Sequence, residues 1–285
     1  MEIIRGGYPQ KLLFRWDLID KCQFDCEYCY FNNRDTLDDK KLKIISNIVL
    51  KKLSTTNEHF DIELLGGEPT LHLYLENILE TLNNNVFCDE IRIITNFYKS
   101  NDYYEDLFKY DKLILRVSFH PQYSEDILEK LLSFKYLDKT IITVNISDKE
   151  RFLEKTKRFI KGLNDNNIKY EINYLLSNHK YNVNYNDKTL NEIHSIVKED
   201  KIIKIPYYDK DSNKYMIEEL ELFKISFRDW YCKPVIYNID IFGNIKNICY
   251  NSSIGLKLND LVKIIKCNHD YCSCSKKLSF EKWKI

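Results

Sequence analysis

Between residues 12 and 176 the chain alternates two patterns of apolar and polar positions. Short runs rich in Ile, Val, Leu and aromatic residues read as six strands: LLFRWDL (12–18), DIELL (61–65), EIRIIT (90–95), KLILRVSF (112–119), TIITVNI (140–146) and KYEINYLL (169–176). Between them, apolar residues recur at helical spacing. In 37–53 the residues Leu42, Ile45, Val49 and Leu53 mark one face, and Thr36 with Asp39 is set as a capping box. The same spacing predicts helices over 71–84, 101–109, 124–136, 149–163 and 187–199. Strand–helix alternation predicts an α/β fold with a parallel sheet and right-handed crossovers. Strand count alone leaves an open sheet and a full or partial barrel both possible.

A further strand is predicted over 201–208, and the charged stretch DKDSNKY (209–215) reads as the linker to a smaller second unit. In that unit VIYNIDI and NIKNICY flank Phe242-Gly243-Asn244, the pattern of a hairpin with a Gly-Asn turn, and a short helix is predicted near 258–265. The expected domains are 10–210 and 222–285.

Composition narrows the partners. Lys+Arg and Asp+Glu are both 43 in 285 residues, so no global field draws nucleic acid or an anionic membrane. Lys40-Lys41 and Lys276-Lys277 read as solvated surface. The first residues, MEIIRGGYPQKLLFRWD, hold no apolar run of secretory length, and no later stretch is long enough to span a bilayer. The expectation is a cytoplasmic protein with reduced thiols, whose nine cysteines are metal ligands rather than a disulfide framework.

The cysteines fall in two groups, with Cys88 alone between them as a buried, inert thiol. Cys22, Cys26 and Cys29 form C-x3-C-x2-C between the first strand and the first helix. Three thiolates on an iron–sulfur cubane leave one iron open, which is useful where something else must bind; a zinc site completed by a distant residue is the alternative. Cys232, Cys249, Cys267, Cys272 and Cys274 provide enough ligands for a closed site, either a [4Fe–4S] cluster or a zinc knuckle.

The chain resembles the radical S-adenosylmethionine (radical SAM) superfamily. Cys22, Cys26, Tyr28 and Cys29 match its C-x3-C-x-aromatic-C signature, and Gly66, Gly67, Glu68 and Pro69 its GGEP motif at the end of the second strand. The resemblance implies a partial (β/α)6 barrel of the TIM type. It also implies a [4Fe–4S] cluster on the three cysteines, with SAM chelating the open iron. One electron from the reduced cluster would cleave SAM to a 5′-deoxyadenosyl radical that abstracts a substrate hydrogen. The backbone at Tyr28 would face the adenine. Gly66 and Gly67 would give room for the methionine moiety, and Glu68 would accept from its ammonium. Thr95 and Asn96 end the third strand where the family often carries a Thr-Asn pair, Ser118 ends the fourth where a serine often meets the ribose, and Asn145 on the fifth is a further candidate.

The carboxy-terminal cysteines resemble the auxiliary-cluster modules called SPASM and Twitch. They are fewer than two such clusters would use, and one auxiliary [4Fe–4S] cluster is expected, with Cys267 the least secure ligand. Full ligation there favours electron acceptance, hence an oxidation. The expected substrate is a peptide side chain, since such modules often serve peptide maturases. The alternative is a sugar or other small alcohol, because no additional amino-terminal domain for a leader peptide is evident. A flavodoxin- or ferredoxin-type reductant is the implied partner. The non-enzyme alternative is an iron–sulfur carrier or a zinc-stabilised binding module, against which the GGEP motif counts.

Of the remaining candidates, His120 in SFHPQY is placed at the barrel mouth to touch substrate or relay a proton. His72 is expected to pack on a helix. Trp230-Tyr231 is expected to pack the second unit on the barrel, and the scattered tyrosines single out no groove.

Overall fold

A computed structural model describes residues 2–4, 11–29, 37–123, 126–147, 149–175, 187–197, 204–209, 211–218, 225–232, 235–247, 265–267 and 282–284. It contains two sheets. Strand β1 (Glu2–Ile4) belongs to the smaller one. The larger is built on β2 (Leu12–Ile19), β3 (Phe60–Gly66), β4 (Cys88–Thr95), β5 (Leu113–Phe119), β6 (Thr140–Ile146) and β7 (Tyr170–Tyr174), laid side by side in chain order and all parallel. Helices α1 (Asp39–Leu53), α2 (Leu75–Asn83), α3 (Asn101–Leu107), α4 (Ile127–Leu132) and α5 (Glu150–Asp165) make the crossovers, and α6 (Asp187–Ile196) follows β7. All six predicted strands and all six predicted helices are present, with ends moved by a few residues. The cap of α1 is Asp38, whose carboxylate accepts from the Lys41 amide at 2.8 Å; Thr36 lies outside the described residues.

Strand pleating divides the large sheet into two unlike faces. Toward the helices it presents Phe14, Trp16, Ile62, Leu64, Ile91, Ile93, Leu115, Val117, Ile142 and Val144. These pack with Val49, Leu53, Ile78, Leu79, Tyr104, Leu107, Leu131, Phe159 and Ile160 in one buried core. Burying each such side chain stabilises the fold by about 1.5–3 kcal/mol. The register Arg15↔Glu63↔Arg92 puts three charged residues of the other face in one row, which Ile114 continues on β5; Arg116 stands on that face two residues further along β5, and Glu171, in register with Thr143, on β7. Charge on that face is paired: Arg15 Nε lies 3.1 Å from Glu63, Arg92 reaches Asp61 at 3.2 Å and also pairs with Glu90, and Arg116 meets Glu171 at 2.8 Å.

Two elements cross the expected domain boundary. The predicted hairpin forms as β11 (Ile236–Ile239) and β12 (Ile245–Asn247), following β10 (Tyr231–Cys232). However, β11 pairs in parallel with β2 and so extends the barrel sheet. Asp240 Oδ1 closes its turn by accepting from the amides of Phe242 and Asn244. Gly243 there has φ +76°, and an added Cβ would press on Ile45 and Val49 of α1. Conversely β8 (Lys204–Tyr208) joins the smaller sheet, paired antiparallel with β1 and with β9 (Lys214–Glu218). The stretch predicted as a linker is therefore a hairpin turn and the start of β9, with Asp209 Oδ1 accepting from the amides of Asp211 and Asn213. The small sheet is completed by β10, β13 (Ile265–Lys266) and β14 (Lys282–Lys284). Of the helix predicted near 258–265, only Ile265 is described, and it lies in β13.

Candidate active site

The carboxyl ends of β2 and β3 are fastened together by backbone. Gly67 N donates to Ile19 O at 2.6 Å and Glu68 N to Lys21 O at 2.9 Å. Gly66 has φ +128°, and a Cβ there would lie 2.2 Å from Ile19 O; one on Gly67 would lie 2.3 Å from Lys21 O. The two glycines therefore admit the chain that leads into the cysteine loop. A side chain at either position would meet the backbone of residues 19–21.

Glu68 is fully buried, and its contacts knit β3 to β4. Oε1 accepts from Thr70 N (3.1 Å), Thr70 Oγ1 (2.6 Å) and Thr95 Oγ1 (2.8 Å), while Oε2 accepts from Asn96 N (2.9 Å). Burial raises its pKa against the opposing effect of these donors. Pro69 opens a single turn of 3-10 helix capped by the same carboxylate. Thr95 Oγ1 also lies 3.0 Å from the Tyr104 hydroxyl and accepts from Phe97 N at 3.1 Å. With its proton given to Glu68, Thr95 receives the hydrogen from Tyr104. Phe97, buried at φ +60°, turns the chain after Asn96; Lys130 holds that turn through the carbonyls of Phe97 and Lys99.

Asn96 links this network to the cysteines. Its Oδ1 accepts from Gln23 at 2.8 Å, and its Nδ2 is 3.6 Å from Cys22 Sγ. The far side of the loop is pinned by residues after β5. Gln122 contacts Glu27 N at 3.2 Å, Tyr123 donates to Asp25 O at 3.0 Å, and Phe24 stacks on Tyr123 at 4.7 Å. Glu27 pairs with Lys149 at 2.9 Å and with Arg151 at the start of α5. Gln23 and Gln122 were not singled out by sequence, because their partners Asn96 and Glu27 lie tens of residues away.

His120 lies under this loop. Its Nδ1 is 3.1 Å from the Tyr28 hydroxyl and 3.7 Å from Cys26 Sγ, with the Tyr28 ring stacked at 6.0 Å. Burial lowers its pKa to about 4 and pushes the Cys26 thiol up to about 12. His72, which ends the 3-10 turn, is buried against α1 with its Nε2 3.4 Å from Ser46 Oγ, and Cys88 is a buried thiol raised to about 12 by desolvation. Ser118 and Asn145 stand on the charged face of the sheet, both nearly buried; Asn145 Oδ1 accepts from Asn173 at 2.7 Å.

Three thiols on one loop, anchored at both ends, suit an iron–sulfur cluster that leaves one iron for another ligand. Beside them the buried Asp20 keeps Oδ2 without a hydrogen-bond partner. Among the described residues no three Cys, His, Asp or Glu side chains are gathered as a preformed metal site, so what the fold provides is a shared loop. In the small sheet, Cys232 is opposite Ile265, while Cys267 exchanges backbone hydrogen bonds beside Trp230. That register puts Cys232 and Cys267 on one face of the ladder. Cys249, Cys272 and Cys274 lie outside the described residues. Trp230 is buried against Phe227, and Tyr231 stacks on Trp283.

No family model and no curated protein matches the chain. Solved structures do. Streptococcus suis SuiB matches at 14% identity and TM-score 0.50, over 82% of this chain and 59% of SuiB. The structure of anSMEcpe with AdoMet and a Cp18Cys peptide matches at 16% and 0.49, over 64% of this chain and 57% of that one. BtrN with AdoMet and 2-DOIA matches at 14% and 0.41, over 59% of this chain and 72% of that one. The chain spans little more than half the length of SuiB and anSMEcpe. At 14% identity the likeness to SuiB establishes the fold alone, a partial α/β barrel. SuiB has also been solved with S-adenosylmethionine and with precursor peptide SuiA. Among the described residues no helix is long and apolar enough to cross a membrane.

Proposed function

We propose that the chain is a radical SAM enzyme. The observation that carries this reading is the pairing of residues 19–21 with Gly66–Glu68, which brings the three-cysteine loop against the GGEP segment at the carboxyl ends of a partial barrel. When bound, the cluster supplies the electron that splits SAM into methionine and the 5′-deoxyadenosyl radical. Cys22, Cys26 and Cys29 would hold it. Asn96 and Gln23 orient the first thiol, and Tyr28 and His120 enclose the second.

Glu68 holds β3 and β4 in place and keeps accepting capacity at Oε2, which has one partner in place of the three at Oε1. Gly66, Gly67 and Pro69 set that carboxylate's position through the backbone. Ser118 and Asn145, on the polar face of β5 and β6, would meet the ribose and the neighbouring part of SAM. In the loop Cys26 is buried, while Cys22 and Cys29 stay partly exposed.

The peptide is the substrate class we favour: SuiB, whose fold the chain shares, is known with a precursor peptide bound, and the polar face is rich in paired charges and amides that suit a peptide. Cys232 and Cys267, together with cysteines from Cys249, Cys272 and Cys274, would hold one auxiliary cluster, and a flavodoxin- or ferredoxin-type protein would supply electrons.

Anaerobic reconstitution with iron, sulfide and zinc counting tests the metal assignment. About eight irons per chain are expected; about four irons with zinc would replace the auxiliary cluster by a zinc knuckle, and zinc alone would overturn the enzyme reading.

A further inference from the structure

The charged face carries a cluster that no role so far accounts for. Arg116 Nε and Thr143 Oγ1 are buried and have no hydrogen-bond partner. Thr143 is 8% exposed and the Arg116 side chain 12%. A buried polar atom left unpaired is costly, so two on one patch point to a ligand.

Register places them together. Arg116 on β5 reaches Glu171 on β7, and its side chain therefore passes over β6, the strand between. The β6 residue in register with Glu171 is Thr143, which in turn stands beside Ser118. The guanidinium and the hydroxyl thus share the surface of β6. This patch begins beside Ser118 and extends one pleat deeper, about 7 Å along the strand. Ile114 and Ile141 occupy the same face and give it apolar walls.

Charge balance then selects the ligand. Glu171 already neutralises Arg116 at 2.8 Å, so a carboxylate would bring an excess negative charge into a buried site. A neutral carbonyl oxygen takes two donors without that cost. We propose that Arg116 Nε and Thr143 Oγ1 together bind a backbone carbonyl of a peptide substrate, holding it beneath the group that Ser118 contacts. The assignment rests on the peptide reading above and deepens it. Arg116 and Thr143 would act as positioning and specificity residues.

The test uses the reconstituted full chain with SAM and measures saturation-transfer NMR on two probes: a pool of N-acetylated, C-amidated tripeptides and a pool of monosaccharides. Binding of the tripeptides to the wild type is expected. Thr143→Val should weaken it about three- to tenfold, the effect of one neutral hydrogen bond, and Arg116→Lys, which keeps the ion pair but loses Nε, by about tenfold or more, because that donor is charged. SAM affinity is measured on the same samples, and the loss should be confined to the peptide probe. Unchanged tripeptide binding in both variants overturns the proposal. So does an equal loss of SAM affinity, which would give the patch to SAM, or a wild type that takes the sugars instead. Failure of the radical SAM reading is seen separately, as absent iron in a wild type that still binds or rejects the tripeptides.

Discussion

The two faces of the barrel sheet belong to the same six strands, yet they are built on opposite principles. The helix-facing side is closed by aliphatic packing, with Ile62, Leu64, Ile91, Ile93, Leu115 and Val117 all inaccessible to solvent. The other side carries Arg15, Asp61, Glu63, Arg92, Arg116 and Glu171 in mutually neutralising pairs. Parallel sheets buried on both faces read as continuous apolar runs; alternation here marks one face as a lining. The apolar face is the larger source of stability, and under the proposed function the paired face lines the site.

Substitutions on the two faces should therefore separate stability from recognition. The largest effect is expected on the apolar side: Ile93→Ala should destabilise by about 3–4 kcal/mol in urea denaturation through cavity formation, without selective loss of any ligand. An equally large, selective change in ligand binding would break the distinction. On the lining, Glu63→Gln leaves Arg15 and Arg92 short of a partner and should cost about 2 kcal/mol, less than the full penalty for a buried pair because both arginines are partly solvated.

Asp17 should behave in the opposite sense. Burial, with Asp240 nearby, raises its pKa to about 6 against the opposing charge of Arg15. A carboxyl that holds its proton more tightly when folded contributes stability below about pH 4, and that contribution is lost as pH rises to about 6. Asp17→Asn should flatten this slope and stabilise the fold at pH 7 by about 1–2 kcal/mol, discounted for partial exposure. Thermal melts between pH 4 and 7 decide it; a wild-type stability rising across that window would contradict the assignment. The smallest shift is expected for Thr143→Val, which removes an unpaired buried hydroxyl and should change stability by less than about 1 kcal/mol, toward gain. A loss of several kcal/mol would show a structural partner for that hydroxyl.

The same contrast explains what could be read from sequence. Strands such as TIITVNI and helices such as 149–163 announce themselves locally, because burial on one side repeats within a few residues. The cysteine spacing and GGEP were equally local. What could not be read depends on register. Arg116 and Thr143 sit inside two predicted strands, and only the pairing Ser118↔Thr143 and Thr143↔Glu171 brings them together. The packing against Gly66 and Gly67 was hidden for the same reason, since the backbone that an added Cβ would meet there comes from the end of the preceding strand and the residues after it. The small sheet was the least legible. Its strands are two to five residues long and pair β1 with β14 across nearly the whole chain, so no short window carries their pattern.

The central claim is that the loop of Cys22, Cys26 and Cys29, held against Gly66–Glu68, supports reductive cleavage of SAM. Its most direct measurement is mass spectrometry of the anaerobically reconstituted chain given SAM and dithionite. The expected result is 5′-deoxyadenosine and methionine in equal amounts, abolished in Cys22→Ala, Cys26→Ala and Cys29→Ala. A fully reconstituted wild type that releases no 5′-deoxyadenosine, or cysteine variants that release it undiminished, would contradict it.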